Sequence, residues 1–172
     1  MTTTFKQSPM LLAALEYAAR GWHVFPVPPG TKKSFKAAQF SDNRKWGATV
    51  DHAEIATNSQ KWPDANLGIV TGPKSGFWVL DIDTTEGHKG GADGFENLAE
   101  LTRQYGALPH TIASESPRGS RHYFFAWPES GGVWNSASVV APGIDVRGDG
   151  GMVVVVPSIV PGAGAYTNGP TL

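Results

Sequence analysis

Phe77-Trp78-Val79-Leu80-Asp81-Ile82-Asp83 is an almost continuous apolar run that closes with two carboxylates one residue apart. The run predicts a buried β-strand. Because strand side chains alternate between faces, Asp81 and Asp83 point the same way, with Cα atoms about 6.6 Å apart. Two like charges at the end of an apolar strand repel each other and are costly to desolvate, and a divalent cation relieves both penalties. The pair therefore suits Mg²⁺ or Mn²⁺, which prefer oxygen ligands; alone, it also fits a solvated strand end.

The overall composition is that of one globular domain without disulfide bonds. The 172 residues are 40% hydrophobic and 10% aromatic, which is enough for a proper core. No apolar run reaches about 18 residues, and the start MTTTFKQSP lacks the hydrophobic segment of a signal peptide, so we expect a cytoplasmic protein. The absence of cysteine from the sequence excludes disulfide bonds and cysteine-ligated zinc.

Charge is balanced overall but concentrated locally. The formal net charge of -1 argues against a surface coated in positive charge for non-specific nucleic-acid binding. One segment is nonetheless basic, and its lysines Lys32, Lys33 and Lys36 are candidates for contacts with a DNA backbone. A solvated loop is the alternative interpretation of the same residues.

Capping residues and hydrophobic periodicity predict helices over residues 8–21, 51–62 and 93–106. The buried side of the last helix is expected to consist of Phe95, Leu98, Leu101 and Tyr105. Strands are expected at residues 22–27, 66–70, 76–83, 111–116, 121–127, 144–147 and 152–156. Short turns predict antiparallel hairpins at residues 72–76, 117–120 and 148–151. The predicted fold class is therefore α+β, or mixed α/β, with a largely antiparallel sheet and flanking helices.

Two of the predicted hairpins carry polar residues where apolar ones are expected. Ser120 and His122 share one strand face, and a hydroxyl, loop amides and an imidazole can together hold a phosphate. The alternative for His122 is a structural histidine bonded to a backbone carbonyl. Asp145 and Arg147 also share a face. They are either part of a two-metal phosphoryl-transfer site, with Asp145 as its third carboxylate, or a surface ion pair worth less than about 1 kcal/mol.

In chain order, Asp81-Ile-Asp83, Ser120-Arg-His122 and Ile144-Asp145 resemble the three motifs of the archaeo-eukaryotic primase superfamily. More narrowly, the chain is similar to the N-terminal catalytic domain of the bifunctional DNA primase/polymerases (Prim-Pol) of phages, plasmids and mobile elements. The flanking segments 66–72 and 143–151 extend this resemblance over nearly the whole chain.

The resemblance implies a template-directed nucleotidyltransferase with an RRM-like catalytic core and an N-terminal α/β lobe. Asp81, Asp83 and Asp145 would be the catalytic residues and hold two Mg²⁺ or Mn²⁺ ions, and no zinc is expected. Ser120 and His122 would contact the triphosphate of the incoming nucleotide. We expect Arg147, on the same face as Asp145, to be a further phosphate contact. The chemistry is consistent, because the attacking 3′-oxygen must lose a proton and the departing pyrophosphate must be neutralised.

The resemblance also bears on domain organisation and partners. We expect residues 1–172 to form a single catalytic domain, with an N-terminal lobe of about residues 1–65 and a catalytic lobe of about residues 66–172. The glycine-rich residues 161–172 are interpreted as the start of a connection within a longer replication protein. Implied partners are a single-stranded DNA template, a primer, dNTPs or NTPs, and a C-terminal helicase or helical-bundle domain of the same protein. For a phage- or plasmid-encoded protein, the expected location is the host cytoplasm.

Other functions are compatible with parts of the pattern. An RRM-like module could bind single-stranded nucleic acid without catalysis, by stacking bases on Tyr123, Phe125 and Trp127. A different Asp-x-Asp metal enzyme, such as a sugar-nucleotide transferase, would use the first carboxylate pair alone. Neither gives a role to Asp145. A rolling-circle nickase needs a paired-histidine metal site, and His122 has no histidine two residues away.

Overall fold

A computed structural model describes residues 8–36, 44–88 and 90–170 of the chain. Within these ranges the helices are α1 Pro9–Ala19, α2 His52–Lys61 and α3 Gly94–Tyr105. The strands are β1 Val24–Val27, β2 Asn66–Val70, β3 Phe77–Ile82, β4 Ala113–Glu115, β5 Arg121–Ala126, β6 Ser136–Ala141, β7 Ile144–Arg147, β8 Met152–Val154, β9 Ile159–Val160, β10 Gly164–Ala165 and β11 Thr167–Gly169. None of the helices in the described ranges is long and apolar enough to span a bilayer.

The helices begin at the capping residues that the sequence predicts. The Leu11 amide donates to Ser8 Oγ over 3.1 Å at the start of α1, and the Glu54 amide donates to Asp51 Oδ1 over 2.7 Å at the start of α2. Asp93 accepts from the first amides of α3. Each such cap typically contributes about 1 kcal/mol. The three predicted helices are confirmed to within two residues at their starts.

The strands form two main antiparallel sheets. The larger has the order β11-β4-β5-β3-β7-β6, and the smaller has the order β1-β2-β8. A further pair joins β9 to β10. The α+β prediction is therefore confirmed. The small sheet combines strands from both sides of residue 65, because β1 pairs with β2 and β2 pairs with β8.

The two faces of the central strand β3 have different roles. On one face Leu80 and Ile82 pack in a core that also contains Phe95, Leu98 and Leu101 of α3. On the other face Phe77, Val79 and Phe124 pack against α1 and the small sheet. Further along this second face, the apolar side chains give way to Asp81, His122 and Asp145. The polar patch therefore lies on the face that the small sheet partly covers. Tyr105, predicted to be buried, is 76% exposed.

Two of the three predicted hairpins are wrong. The turn at residues 72–76 exists, but β2 and β3 belong to different sheets and only Gly72 and Phe77 form a bridge. Likewise β7 pairs with β3 and β6, whereas β8 pairs with β2. The reason is that β3 is apolar on both faces and is buried most completely between β5 and β7, in the centre of the larger sheet. The turns are places where the chain passes from one sheet to the other.

The last described segment also departs from its predicted role. Residues 164–169, interpreted from sequence as part of a connection, form β10 and β11 instead. Strand β11 pairs with β4 and becomes the edge of the larger sheet. Tyr166, between these two strands, is 8% exposed. This segment is part of the fold because its backbone completes a sheet edge and its one aromatic side chain is buried.

Candidate active site

Strand register brings the predicted acidic residues of two motifs together with the predicted histidine. Asp81 on β3 lies directly opposite His122 on β5 and directly opposite Asp145 on β7. Directly opposed residues have side chains on the same face of a sheet, with Cβ atoms about 5 Å apart. All three are buried, with exposed fractions of 2%, 5% and 8%. Residues far apart in the sequence therefore form one patch.

Asp83 and Ser120 extend this patch beyond the strand end. The Asp83 amide donates to the Gly143 carbonyl over 2.9 Å, which holds the residue in line with β3. The Ser120 hydroxyl donates to Asp83 Oδ1 over 3.0 Å. The Asp-x-Asp pair thus faces the Ser-x-His pair across two neighbouring strands.

Arg147 is the principal cation of the patch and joins two of its carboxylates. Its Nη2 donates to Asp81 Oδ2 over 3.0 Å and to Asp145 Oδ2 over 2.8 Å. The other Asp145 oxygen accepts from the Ser138 amide over 2.9 Å. The predicted phosphate contact is therefore paired with the predicted metal ligands in this structure. The guanidinium therefore lies between one oxygen of Asp81 and one of Asp145 and partly neutralises both carboxylates.

One carboxylate oxygen of the patch has no donor. Asp81 Oδ1 is buried and makes no hydrogen bond within the described part of the chain. His122 Nε2 is 3.4 Å away, which is too long for a good N–H···O hydrogen bond. On its far side, His122 Nδ1 lies 3.4 Å from Ser114 Oγ. A buried acceptor without a donor costs about 1–3 kcal/mol, so this oxygen is ready for a ligand.

The pKa values of the two Asp-x-Asp carboxyls move in opposite directions. Burial alone would raise the pKa of Asp81, but His122 and Arg147 hold it well below its usual range. Burial and the negative charges of Asp81 and Asp145 raise the pKa of Asp83 above its ordinary value, despite the hydrogen bond from Ser120. Asp83 therefore lies in a negative potential that Arg147 does not neutralise.

The oxygen donors fit a divalent cation in chemistry, although not as a ready-made centre. Within residues 8–36, 44–88 and 90–170, no three acidic or histidine side chains stand together as a metal-binding group. Asp81 Oδ1 is an orphaned acceptor, and burial and two neighbouring carboxylates disfavour the charged form of Asp83. Carboxylate oxygens of this kind are ligands for Mg²⁺ or Mn²⁺. For Asp145 Oδ2 to join them, the Arg147 guanidinium must move aside.

The patch forms the floor of a cleft. Two cavities of about 220 and 290 Å³ adjoin at Asp81 and His122. The first also contains Asp83, Ser120, Arg118 and Gly87, and the second contains Arg147, Asn135, Trp46 and Met152. Lys32, Val154 and Tyr166 line both. Each cavity alone is smaller than a typical small-molecule site of about 300–1,000 Å³, so a ligand of that class would occupy both.

The three predicted DNA-binding lysines occupy different places. Lys32 is exposed and lines both cavities, and Lys33 beside it is also exposed. Lys36 is 8% exposed, and its ammonium is paired with Glu54. Arg44 donates to both oxygens of the same carboxylate. Lys36 therefore stabilises the connection before α2 and does not face the cleft.

Sequence reasoning missed several residues that line this cleft, among them Tyr166 and Arg118. Tyr166 lies in the segment interpreted as a connection; burial raises the pKa of its hydroxyl to about 12, so it stays neutral. The signal available in the sequence is a single aromatic residue in a glycine-rich stretch. Arg118 lies in the hairpin loop two residues before Ser120, and an exposed cation beside the Ser-x-His pair is the signal there.

Over residues 14–170, the chain matches the protein family described as Prim-Pol: bifunctional DNA primase/polymerase, N-terminal. The match contains every residue of the patch and of the loop that carries Lys32. No curated protein matches the chain.

Proposed function

Because the chain belongs to the Prim-Pol family of bifunctional DNA primase/polymerases, we propose that its cleft joins (d)NTPs to a primer opposite a single-stranded DNA template, by a two-metal mechanism. The proposed biological role is replication of a phage, plasmid or other mobile element. One observation carries the assignment of the site: Asp81, with a free buried oxygen, lies in register between His122 and Asp145.

The carboxylates are proposed to hold the two divalent ions. Asp81, Asp83 and Asp145 supply the oxygen ligands, and Mg²⁺ or Mn²⁺ would acidify the primer 3′-hydroxyl and neutralise the leaving pyrophosphate. The raised pKa of Asp83 supports this role, because a bound cation would favour the charged carboxylate that burial and its acidic neighbours disfavour. Ser120 orients Asp83 through its hydrogen bond.

The cavity beside Asp83 is proposed to receive the triphosphate. Ser120, His122 and Arg118 provide a hydroxyl, an imidazole and a cation on its walls. In the reaction, the bond from the primer 3′-oxygen to the α-phosphorus forms while the bond from that phosphorus to pyrophosphate breaks. The 3′-hydroxyl proton leaves to solvent, and the basic wall binds the charge that accumulates on pyrophosphate.

The second cavity has the composition expected for the sugar and base. It is lined by Trp46, Met152 and Asn135, which offer an aromatic face, an apolar surface and an amide. Tyr166, which lines both cavities, would then lie near the sugar. Arg147 lines this cavity from the carboxylate side and is proposed to bind a phosphate once it no longer neutralises Asp81 and Asp145.

Lys32 and Lys33 are the proposed contacts with the DNA backbone, because both are exposed and Lys32 borders the cleft. Replacing either by alanine should weaken binding to all template sequences equally. The slope of log K against log salt should fall by about 0.7 for each phosphate of the single strand that the protein no longer neutralises. Lys36→Ala should leave this slope unchanged, since its charge is paired with Glu54.

A primer-extension assay tests the proposal directly. The chain is incubated with Mn²⁺, a primed template and labelled dNTPs, and Asp81→Asn and Asp83→Asn should each reduce incorporation by about 100-fold or more. Asp64→Asn is the matched control, because Asp64 is an exposed carboxylate outside the cleft. Template binding without incorporation under any divalent metal would refute the enzymatic assignment.

The alternative of a non-catalytic stacking module has less support. Tyr123 and Phe125 belong to the core shared with α3, so helix α3 covers the sheet face on which bases would stack. The sheet face that a stacking module would use is therefore occupied by the protein itself. No observation favours a sugar-nucleotide transferase over nucleotidyl transfer to DNA.

A further inference from the structure

Ser138, on the edge strand β6, has an unusual backbone conformation. Its φ is 53°, in the left-handed region that residues other than glycine rarely adopt. The pairing of β6 with β7 also shifts register between Ser136 and Ala141, which marks a bulge around Ser138. A β-bulge next to a functional site changes the direction in which groups of the strand point. A strained backbone conformation persists only where the surrounding contacts stabilise it.

The bulge directs a backbone donor at a member of the acidic patch. The Ser138 amide donates to Asp145 Oδ1 over 2.9 Å and so does not pair with the β7 backbone. Arg147 engages Asp145 Oδ2. Oδ1 of Asp145 is therefore held by a main-chain amide, and Oδ2 lies on the side of Asp81, where both carboxylates accept from Arg147.

A histidine outside the family motifs holds Ser138 in place. His88 Nδ1 accepts from the Gly90 amide over 3.1 Å and from the Ala92 amide over 3.4 Å. A nitrogen that accepts carries no proton, so the proton of the neutral ring is on Nε2. Nε2 lies 3.1 Å from Ser138 Oγ and is therefore the donor to it. The Gly143 amide donates to the same Oγ over 3.2 Å.

His88 also connects the two halves of the site. It lies in the loop that follows Asp83, and that loop packs closely against the Asp83–Ser120 pair. A Cβ on Gly87 would lie 2.6 Å from Ser120 Oγ and 3.3 Å from Asp83 Oδ1. The His88 imidazole therefore connects the loop that follows Asp83 to strand β6, whose Ser138 amide binds Asp145.

We propose that His88 and Ser138 are positioning residues that fix Asp145 for metal binding. This inference rests on the proposed function. His88 holds the Ser138 hydroxyl, the hydroxyl fixes the bulge, and the bulge amide anchors Asp145 Oδ1 so that Oδ2 is presented beside Asp81. Hydrogen-bond partners of metal ligands typically contribute 10- to 100-fold to metal affinity. His88 contacts Ser138 and not Asp145 itself, so its effect should be smaller, and its removal should weaken Mn²⁺ binding by about 5- to 20-fold.

The test compares His88→Ala and His88→Gln with His110→Ala, in which an exposed histidine outside the cleft is removed. Glutamine can place an amide N–H near the position of Nε2, so His88→Gln should recover most of the affinity. Mn²⁺ binding is measured by electron paramagnetic resonance of the free ion, and exchange of the Ser138 amide is measured by NMR in the metal-free protein. In His88→Ala, Mn²⁺ should bind about 5- to 20-fold more weakly and the Ser138 amide should exchange about tenfold faster. Primer extension should fall at low Mn²⁺ and recover at saturating Mn²⁺, whereas His110→Ala should match the unmodified chain.

Ser138→Gly provides a second variant that keeps the fold. Glycine accepts a φ of 53° without strain, so the melting temperature should be unchanged or higher while Mn²⁺ affinity falls by the same factor. If Ser138 had only a structural role, its replacement would not lower the Mn²⁺ affinity while leaving the melting temperature unchanged or higher. If His88→Ala does not fold, this variant decides the question.

Mn²⁺ affinity and exchange of the amide at position 138 within twofold of the unmodified chain, in either folded variant and after correction for the intrinsic exchange rate of the residue, would overturn the inference. If the unmodified chain incorporates nucleotides and binds Mn²⁺ but the variants do so equally well, only the positioning role fails. If the unmodified chain neither binds Mn²⁺ nor incorporates nucleotides, the proposed function fails, and the role of His88 and Ser138 towards a metal fails with it.

Discussion

Replacing Arg147 by methionine should destabilise the metal-free protein and increase its response to Mn²⁺. The side chain keeps most of its length but loses the charge that joins Asp81 to Asp145. The side chains of Asp81 and Asp145 are 3% and 12% exposed, and the side chain of Arg147 is 28% exposed. Breaking a fully buried pair costs about 3–5 kcal/mol, and the partial exposure of Arg147 lowers this to about 2–3 kcal/mol.

Thermal unfolding in chelator-treated buffer measures the effect. A loss of 2–3 kcal/mol corresponds to a fall in Tm of about 5–10 °C for a chain of this length. Mn²⁺ should then raise the Tm of the variant more than that of the unmodified chain, because the ion no longer has to displace a guanidinium. Nucleotide incorporation should still fall, since the variant lacks a group proposed to bind phosphate.

Arg121→Met is the matched control. Arg121 pairs with Glu115 at a site where both side chains are about one-third exposed, so its loss should cost less than about 1 kcal/mol. An Arg147→Met protein that is as stable as the unmodified chain without metal, or equal stabilisation of both by Mn²⁺, would refute the idea that Arg147 and a cation compete for the same carboxylates.

Three further predictions concern separate parts of the molecule. His122→Ala should raise the dissociation constant for dNTPs by about tenfold or more and leave template binding within twofold, as measured by fluorescence titration; equal losses would contradict a triphosphate role. The hydrogen bonds from Arg44, together with Lys36, lower the pKa of Glu54 to about 2. The ionised Glu54 carboxylate therefore stabilises the fold above its unfolded-state pKa of about 4.5, and this stabilisation is lost as the pH falls towards 2. Glu54→Gln should lower the free energy of unfolding by about 1–2 kcal/mol at pH 7 and change it very little near pH 2, as measured by urea unfolding. Gly94→Ala should lower the free energy of unfolding by about 2–3 kcal/mol, because its Cβ would lie 2.2 Å from the Gly143 carbonyl oxygen; an unchanged midpoint in the same assay would show that the two segments can separate.

The faces of the strands could be predicted from sequence, but of the three predicted hairpin pairings only that of β4 with β5 is confirmed. Alternation places Asp81 with Asp83, Ser120 with His122 and Asp145 with Arg147, and the structure has each pair on one face. Pairing depends on which neighbours bury a strand best, and the local turn residues at 72–76 and 148–151 carry no information about that. The same turn chemistry allows a hairpin or a passage between sheets, so two of the predicted hairpins are wrong.

The parts of the site that sequence did not reveal depend on side-chain geometry in three dimensions. Arg147 can be predicted from its face, yet its bond to Asp81 requires β3 and β7 to be neighbours. Ser138 has no distinctive sequence signal, because its role comes from a bulge amide. Tyr166 enters the cleft only because β11 pairs with β4. Each of these follows from long-range register, which a single sequence does not specify.

The order of the strands sets a constraint on synthesis of the protein. β2 can pair with β1 as soon as both leave the ribosome, but its other edge is filled by β8, whose first residue follows the last of β2 by more than eighty positions. At about 5–20 residues per second, that edge stays unpaired on the nascent chain for roughly 4–17 s. Its residues Leu67, Ile69 and Val70 are apolar, so an unpaired apolar strand edge, which favours aggregation, is exposed on the nascent chain during this interval.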